Sequence, residues 1–382
     1  MKNLRSAVGA LLLAAPLALA AAATGANGHA NAAAVCPAPA AAAAHCYALV
    51  VTDARGNPAA SSAPSGLSPA QIQSAYGFPT SSTAGATQTI AIVDAYDDPS
   101  AESDLAVFSS QYGLPACTSA NGCFAKVNQN GGSAAPRKDA GWALEISLDV
   151  QWAHAIAPGA RILLVEASSN SFANLLAAED YAKTHAQYVS NSWGGSESSG
   201  EAQYDSHFVQ SGVSFFVSAG DNGLPAEYPS SSPDVISVGG TTLHLDLPTS
   251  DPGFETGWSS GGGGCSAYEP ATAAQAAFAS YGQAGCGGAR ATPDVSLDAD
   301  PASGVSVYDS VRYQGQSGWY TVGGTSASSP MWAARSADAG VVVDSAYVYG
   351  SGIAYRDITS GDNGAPCLVG FDLCTGRGSW AG

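Results

Sequence analysis

Short apolar runs alternate with longer segments of helical spacing along most of this chain, and that alternation leaves few architectures open. The runs 89–93, 161–165, 188–192, 213–218 and 235–238 are bounded by turn residues, whereas 102–112, 139–157 and 172–184 carry helical spacing. Brief apolar strands separated by helices predict a parallel sheet covered on both faces. In such sheets ligands gather beyond the carboxyl ends of the strands. Asp94, the Asn191-Ser192-Trp193-Gly194 turn and the Ala219-Gly220-Asp221 turn all fall at those ends.

The 382 residues are 46% aliphatic and aromatic but only 12% charged, with a formal net charge of −18. That is enough apolar material for a large core. It also argues against nucleic acid as a partner, because phosphate recognition needs clusters of Lys and Arg. Lys2 and Arg5 precede an apolar, Ala-rich run, 7–23, followed by small residues, which matches a secretory signal peptide within 1–31. The run is too short and too Ala-rich for a membrane anchor. Residues 32–65, rich in Ala, Pro and Ser, read as a flexible lead-in with one short strand at 46–51, and the globular domain is placed at 66–382. Export makes the eight cysteines legible as disulfides; of the roughly 105 connectivities that eight cysteines allow, local pairing as Cys36–Cys46, Cys117–Cys123, Cys265–Cys286 and Cys367–Cys374 is preferred.

Three stretches carry chemistry. Gly323-Gly324-Thr325-Ser326-Ala327-Ser328-Ser329-Pro330 joins a tight turn to an apolar segment, so Thr325 or Ser326 can cap a helix. A serine there lies where backbone N–H groups favour negative charge, which suits a nucleophile whose reaction passes through an oxyanion. The same residues also suit a capped helix and nothing more. Glu145 and Asp149 are four apart, hence on one helix face with Cβ atoms about 5–6 Å apart. Such pairs usually point into water, but Trp142, Leu144, Leu148, Val150 and Trp152 surround this one. A buried pair would titrate as a unit and could hold one proton. Ser218-Ala219-Gly220-Asp221-Asn222-Gly223 adds a further acid, with Asn222 as a rival amide donor. A Ser-His-Asp set would use Asp94, but His154 sits inside the 139–157 segment among apolar residues and reads as packed. Ser259-Ser260 and Gly261 to Gly264 lack the Lys-Ser/Thr of a phosphate loop and read as a loop beside a cleft.

Taken in order, these motifs resemble the sedolisin family of serine-carboxyl peptidases. Ala157-Pro158-Gly159-Ala160, Ser192-Trp193-Gly194, Tyr228-Pro229, Val238-Gly239-Gly240-Thr241 and Arg290 through Pro293-Asp294-Val295 extend the resemblance from about residue 66 to the C-terminus. It implies an α/β fold, a subtilisin-like three-layer sandwich with a mostly parallel central sheet. It implies a secreted acid endopeptidase acting on polypeptides, with Ser326 as nucleophile, Glu145 as general base, Asp149 supporting it and a protonated Asp221 in the oxyanion hole. A Glu base remains usable in acid where a His, with its pKa of about 6.5, is protonated. One Ca2+ ion is implied near the end, on the Asp357 and Asp372 carboxylates and the Ile358, Leu368 and Gly370 carbonyls. Oxygen-only ligation of this kind suits calcium. A monomer, free of the membrane once the signal is removed, is expected.

The pattern departs from the family in two places. Only about 35–40 residues separate the signal-like run from the globular start, too few for an independently folded pro-domain. The segment after Ser326 is short, with Arg335 and Asp338 on a helix that should be buried. An inactive relative serving as an exported binding or structural protein is the alternative expectation.

Overall fold

The computed structural model describes residues 31–38, 43–251, 253–350 and 354–381. The signal-like run lies outside these residues. Among them, no helix is long and apolar enough to cross a membrane.

The apolar runs form one sheet. Across it the order is Glu255–Gly257, Ile236–Leu243, Ser214–Ser218, Tyr188–Asn191, Thr89–Ala95, Arg161–Ala167 and Phe124–Asn128, with Val295–Asp298 also paired to Ile236–Leu243. All these pairings are parallel except that of Glu255–Gly257. The central strands are buried except at Thr89, as strands covered on both faces must be. This is the α/β architecture with a mostly parallel sheet that the alternation predicts.

The helix Ala140–Ile156 packs against Ala101–Tyr112, Thr325–Ala339, the strand Thr89–Ala95 and the strand Val305–Tyr313. Asp139 caps it by accepting from the N–H groups of Gly141 and Trp142. It is buried on every side from Gly141 to Ile156, so it has no polar face. Its polar side chains therefore need partners inside the protein. Gln151 meets Tyr308 through both ends of its amide, and His154 Nε2 meets the Pro115 carbonyl at 2.9 Å. His154, packed in the interior and held through Nε2 on Pro115, takes no part in a Ser-His-Asp set.

Thr325–Ala339 runs on past its apolar start, and Arg335 and Asp338 are accommodated at its far end. They bond at 2.9 Å, and the Arg335 guanidinium lies 4.4 Å above the Trp380 ring. The cysteines pair as their spacing suggests: Cys36–Cys46, Cys117–Cys123, Cys265–Cys286 and Cys367–Cys374.

The segment read as a flexible lead-in is instead built into the molecule. Ala32–Ala34 pairs with Leu49–Val51, which pairs in turn with Gln316–Gly323. The expected single strand at 46–51 is also divided. His45–Cys46 pairs with Trp193–Ser196, whereas Leu49–Val51 joins a different sheet. Tyr47 and Ala48 bridge the two sheets because each end of the run finds its own edge to pair with.

Candidate active site

The carboxyl ends of the central strands converge on the start of Thr325–Ala339. Gly324 precedes the helix with φ of 96°, and a Cβ there would collide with the Tyr47 carbonyl and the Asp221 carboxyl. Only glycine suits both the conformation and the space. Neither Thr325 nor Ser326 caps the helix, contrary to the sequence expectation. Gly324 is the N-cap, and the cap is supplied from another element. Asp221 Oδ1 accepts from the Thr325 N–H at 2.8 Å and from its hydroxyl at 2.9 Å. Asp221 Oδ2 makes no hydrogen bond among the described residues and faces the Gly324 side. Burial pushes Asp221 up to about 8, against the pull of the two Thr325 bonds.

Ser326 is fully buried, and its hydroxyl donates to the Ser192 carbonyl at 3.4 Å. It also neighbours the Glu145 carboxyl. Burial, then the charge of Asp149, push Glu145 well above the ordinary carboxylate range; the Ser326 hydroxyl and the Ala48 N–H pull it back. Asp149 is raised by burial and by Asp94, and Asp94 by burial and by Glu145. Three carboxyls so placed cannot all be ionised, and they share protons. The four Asp94 and Asp149 oxygens make no hydrogen bond of good geometry among the described residues. Ser326, Glu145, Asp149, Asp221 and Asp94 thus belong to one neighbourhood. Asn222 is exposed at the cleft mouth. The glycine-rich loop backs onto the turn that carries Asp221, through the Gly262 N–H to Gly220 carbonyl bond of 2.6 Å.

Sequence reasoning missed what occupies the cleft. The Tyr47 N–H donates to the Ser192 carbonyl at 3.2 Å, and the Ala48 N–H donates to Glu145 Oε2 at 2.8 Å. The Tyr47 ring is buried, and its hydroxyl donates to Glu227 Oε2. Glu227 follows no motif and precedes only the Tyr228-Pro229 landmark, so nothing in the sequence singled it out.

The calcium candidates lie elsewhere. Asp372 is buried, and its carboxyl accepts from the N–H groups of Leu368, Cys374 and Thr375 at 2.6–3.0 Å. Asp357 is exposed and accepts from the Gly370 N–H at 2.8 Å. Asp372 is raised to about 6, chiefly by burial and in part by Asp357. Asp372 and Asp357 thus join neighbouring loops, and both offer oxygen, the donor type that a hard cation takes. Cys117, Cys123 and His154 also approach within 4.8 Å of one another, but the two sulfurs are spent on a disulfide.

Comparison with known proteins agrees with this geometry. The subtilase family model matches residues 138–340, more than half of the chain. Kumamolisin from Bacillus sp. (strain MN-32) is 30% identical over 364 residues, covering 84% of this chain and 63% of its own length. Sedolisin from Pseudomonas sp. (strain 101) is 32% identical over 209 residues, 44% of this chain and 33% of its own. The chain therefore spans less than two thirds of the length of these curated relatives. A structure of Pseudomonas sedolisin, a serine-carboxyl proteinase complexed with two molecules of pseudo-iodotyrostatin, superposes with a TM-score of 0.68 at 27% identity. It covers 84% of this chain and 96% of that one. The sheet order, the buried serine beside its carboxyls and these matches lead to one assignment: the chain belongs to the subtilase family and, within it, to the sedolisin group.

Proposed function

We propose that the protein is a secreted serine-carboxyl endopeptidase that hydrolyses polypeptides in acid. Ser326 attacks the peptide carbonyl while Glu145 takes its proton and later passes it to the leaving amine. Asp149 positions Glu145 and, with Asp94, sets its charge. Asp221 donates a hydrogen bond to the oxyanion from a protonated carboxyl, a role open to it below its raised pKa of about 8. One observation supports this reading above the others: a backbone N–H rests on Glu145 Oε2 at 2.8 Å, where a leaving amine would collect its proton. The signal-like run and the four disulfides support export.

The purified protein is expected to digest denatured casein in acid, with activity lost as pH rises through about 8 and Asp221 gives up the proton it donates. Ser326→Ala is expected to be silent throughout. Equal signals from the two proteins would remove the enzyme and leave a binding protein.

One calcium ion is proposed on Asp357 and Asp372, with the Ile358, Leu368 and Gly370 carbonyls completing the set. The ion would supply charge to the two carboxylates and fasten the loop closed by the Cys367–Cys374 bridge to the segment that carries Asp357 and Ile358. Binding at a hundred times the dissociation constant stabilises a fold by about 2.7 kcal/mol. Calcium is therefore expected to raise the Tm of the protein by several degrees over chelator-treated samples, a difference that Asp372→Asn abolishes. Melting curves that overlay with and without calcium would exclude the ion.

A further inference from the structure

The helix Ala140–Ile156 carries a second cluster at its far end. His154 lies in its last turn, about 14 Å along the axis from Glu145. Against it stands the loop 113–123, which leads into the strand Phe124–Asn128. Cys117 Sγ, Cys123 Sγ and a ring nitrogen of His154 all lie within 4.8 Å of one another. Among the described residues they are the one trio of histidine, cysteine or acidic side chains that meets so closely. Cys117 and His154 are buried, and Cys123 is half-buried. The disulfide between the two sulfurs spans a sequence separation of 6, so it closes only its own loop and leaves the helix untied.

His154 is prepared to be a ligand. Its Nε2 meets the Pro115 carbonyl at 2.9 Å, and a carbonyl only accepts, so Nε2 carries the proton. The lone pair then sits on Nδ1, which is buried and makes no hydrogen bond among the described residues. Burial is the largest influence on the ring and lowers its pKa, which keeps the imidazole neutral. A buried acceptor without a donor is costly, and the disulfide has no proton to offer it. Metal-bound histidines show the same division, with one nitrogen on the ion and the other donating to a carbonyl or carboxylate.

We propose that in the thiol-reduced protein Cys117, Cys123 and His154 hold one soft divalent cation, of which Zn2+ fits best, and that the disulfide is the oxidised, metal-free form of this site. The inference does not rest on the peptidase reading. A small dithiol supplies the two electrons. Its thiolate attacks Cys123 Sγ, the more accessible end of the bridge, and Cys117 leaves as a thiolate. The second thiol of the reagent then closes on the first. Cys123 is freed as a thiolate, the reagent becomes a cyclic disulfide, and its two protons pass to the buffer. Zn2+ binds the two thiolates and the Nδ1 lone pair, and water completes four ligands. The ion does what the bridge does not: it fastens the loop 113–123 to the helix that carries Glu145.

The test is a titration with Co2+ as the probe, near neutral pH, on full-length protein reduced anaerobically with dithiothreitol and freed of the reagent. Thiolate-to-cobalt charge-transfer bands and the visible bands of a tetrahedral ion are expected, and Zn2+ should bleach them. Oxidised protein should show neither. His154→Gln keeps all eight cysteines and should weaken binding about a hundredfold. Cys117→Ser combined with Cys123→Ser should abolish it. Zn2+ should raise the Tm of the reduced wild type by several degrees and leave that of reduced His154→Gln in place. Should reduction unfold the chain, Zn2+ should restore its circular dichroism, and a chain still unfolded in Zn2+ overturns the site. Missing bands in the reduced wild type overturn it too. Equal binding by His154→Gln assigns the metal to other cysteines and has the same effect. If His154→Gln does not fold, the double serine variant decides, and a titration equal to the wild type overturns the site. Casein digestion by the oxidised protein is read separately, so the peptidase reading stands or falls on its own.

Discussion

Acid is expected to stabilise this fold: scanning calorimetry on Ser326→Ala should give a Tm about 10 °C or more higher at pH 4 than at pH 8. The cause is a set of carboxyls folded into the interior. Burial is the largest influence on Glu166 and Glu179, each raised to about 8, and on Asp309, raised to about 9. Lys126 only partly offsets this for Glu166, and Lys183 for Glu179. In the unfolded chain the same groups titrate near 4. Between pH 4 and 8 the native state holds more protons than the unfolded one, so stability falls as pH rises. The contribution is complete below the unfolded values and is lost as pH climbs through the native ones. Each group contributes about 1.4 kcal/mol for every pH unit over which its charge differs between the two states. Even after discounting for relaxation and water entry, the sum is on the order of several kcal/mol. A Tm that rises towards neutral pH would contradict the account.

Glu145→Gln is expected to lower kcat/KM on a peptide substrate by about a thousandfold while leaving the Tm almost unchanged. The amide has the shape of the acid, and its oxygen can still accept the N–H that Glu145 Oε2 holds. It cannot take a proton from Ser326. Asp149→Asn should fall between the variant and the wild type, because Asp149 acts through Glu145, and it should move the acid limb of the pH profile. If Glu145→Gln kept full activity, proteolysis would need another base. His154 could not serve, since it is fixed on Pro115 inside the protein.

The strands and helices of the parallel sheet were readable because their signal is local. The 139–157 segment becomes Ala140–Ile156, and the 89–93 run becomes Thr89–Ala95. Local spacing likewise anticipates all four disulfides. The hairpin of Val305–Tyr313 and Gln316–Gly323 was missed. Its strands are interrupted by polar residues such as Ser306, Asp309 and Ser310, and it draws support from Asp104 and Gln151, far away in sequence. The N-terminal segment failed for a related reason. Ala, Pro and Ser look unstructured when judged alone, and its order comes from pairing with edges contributed by residues 193–196 and 316–323. Within the site, Glu145, Asp149 and Ser326 stand in spaced motifs, whereas Glu227 matters only through what lies against it. Asp221 was noticed as an acid, but its grip on the helix start through Thr325 is visible only in three dimensions.

The two ladders that hold residues 45–51 say something about any guest that replaces them. Both rails grip main chain, and main chain is common to every polypeptide, so most of the hold is indifferent to sequence. What the rails demand is shape: a ribbon with both edges bare. A helix has already spent those groups on itself, and a native sheet has hidden them in the company of its neighbours. The conditions that unravel other proteins would therefore ready them for threading here, while this fold, bound up by its own protonated acids, holds firm.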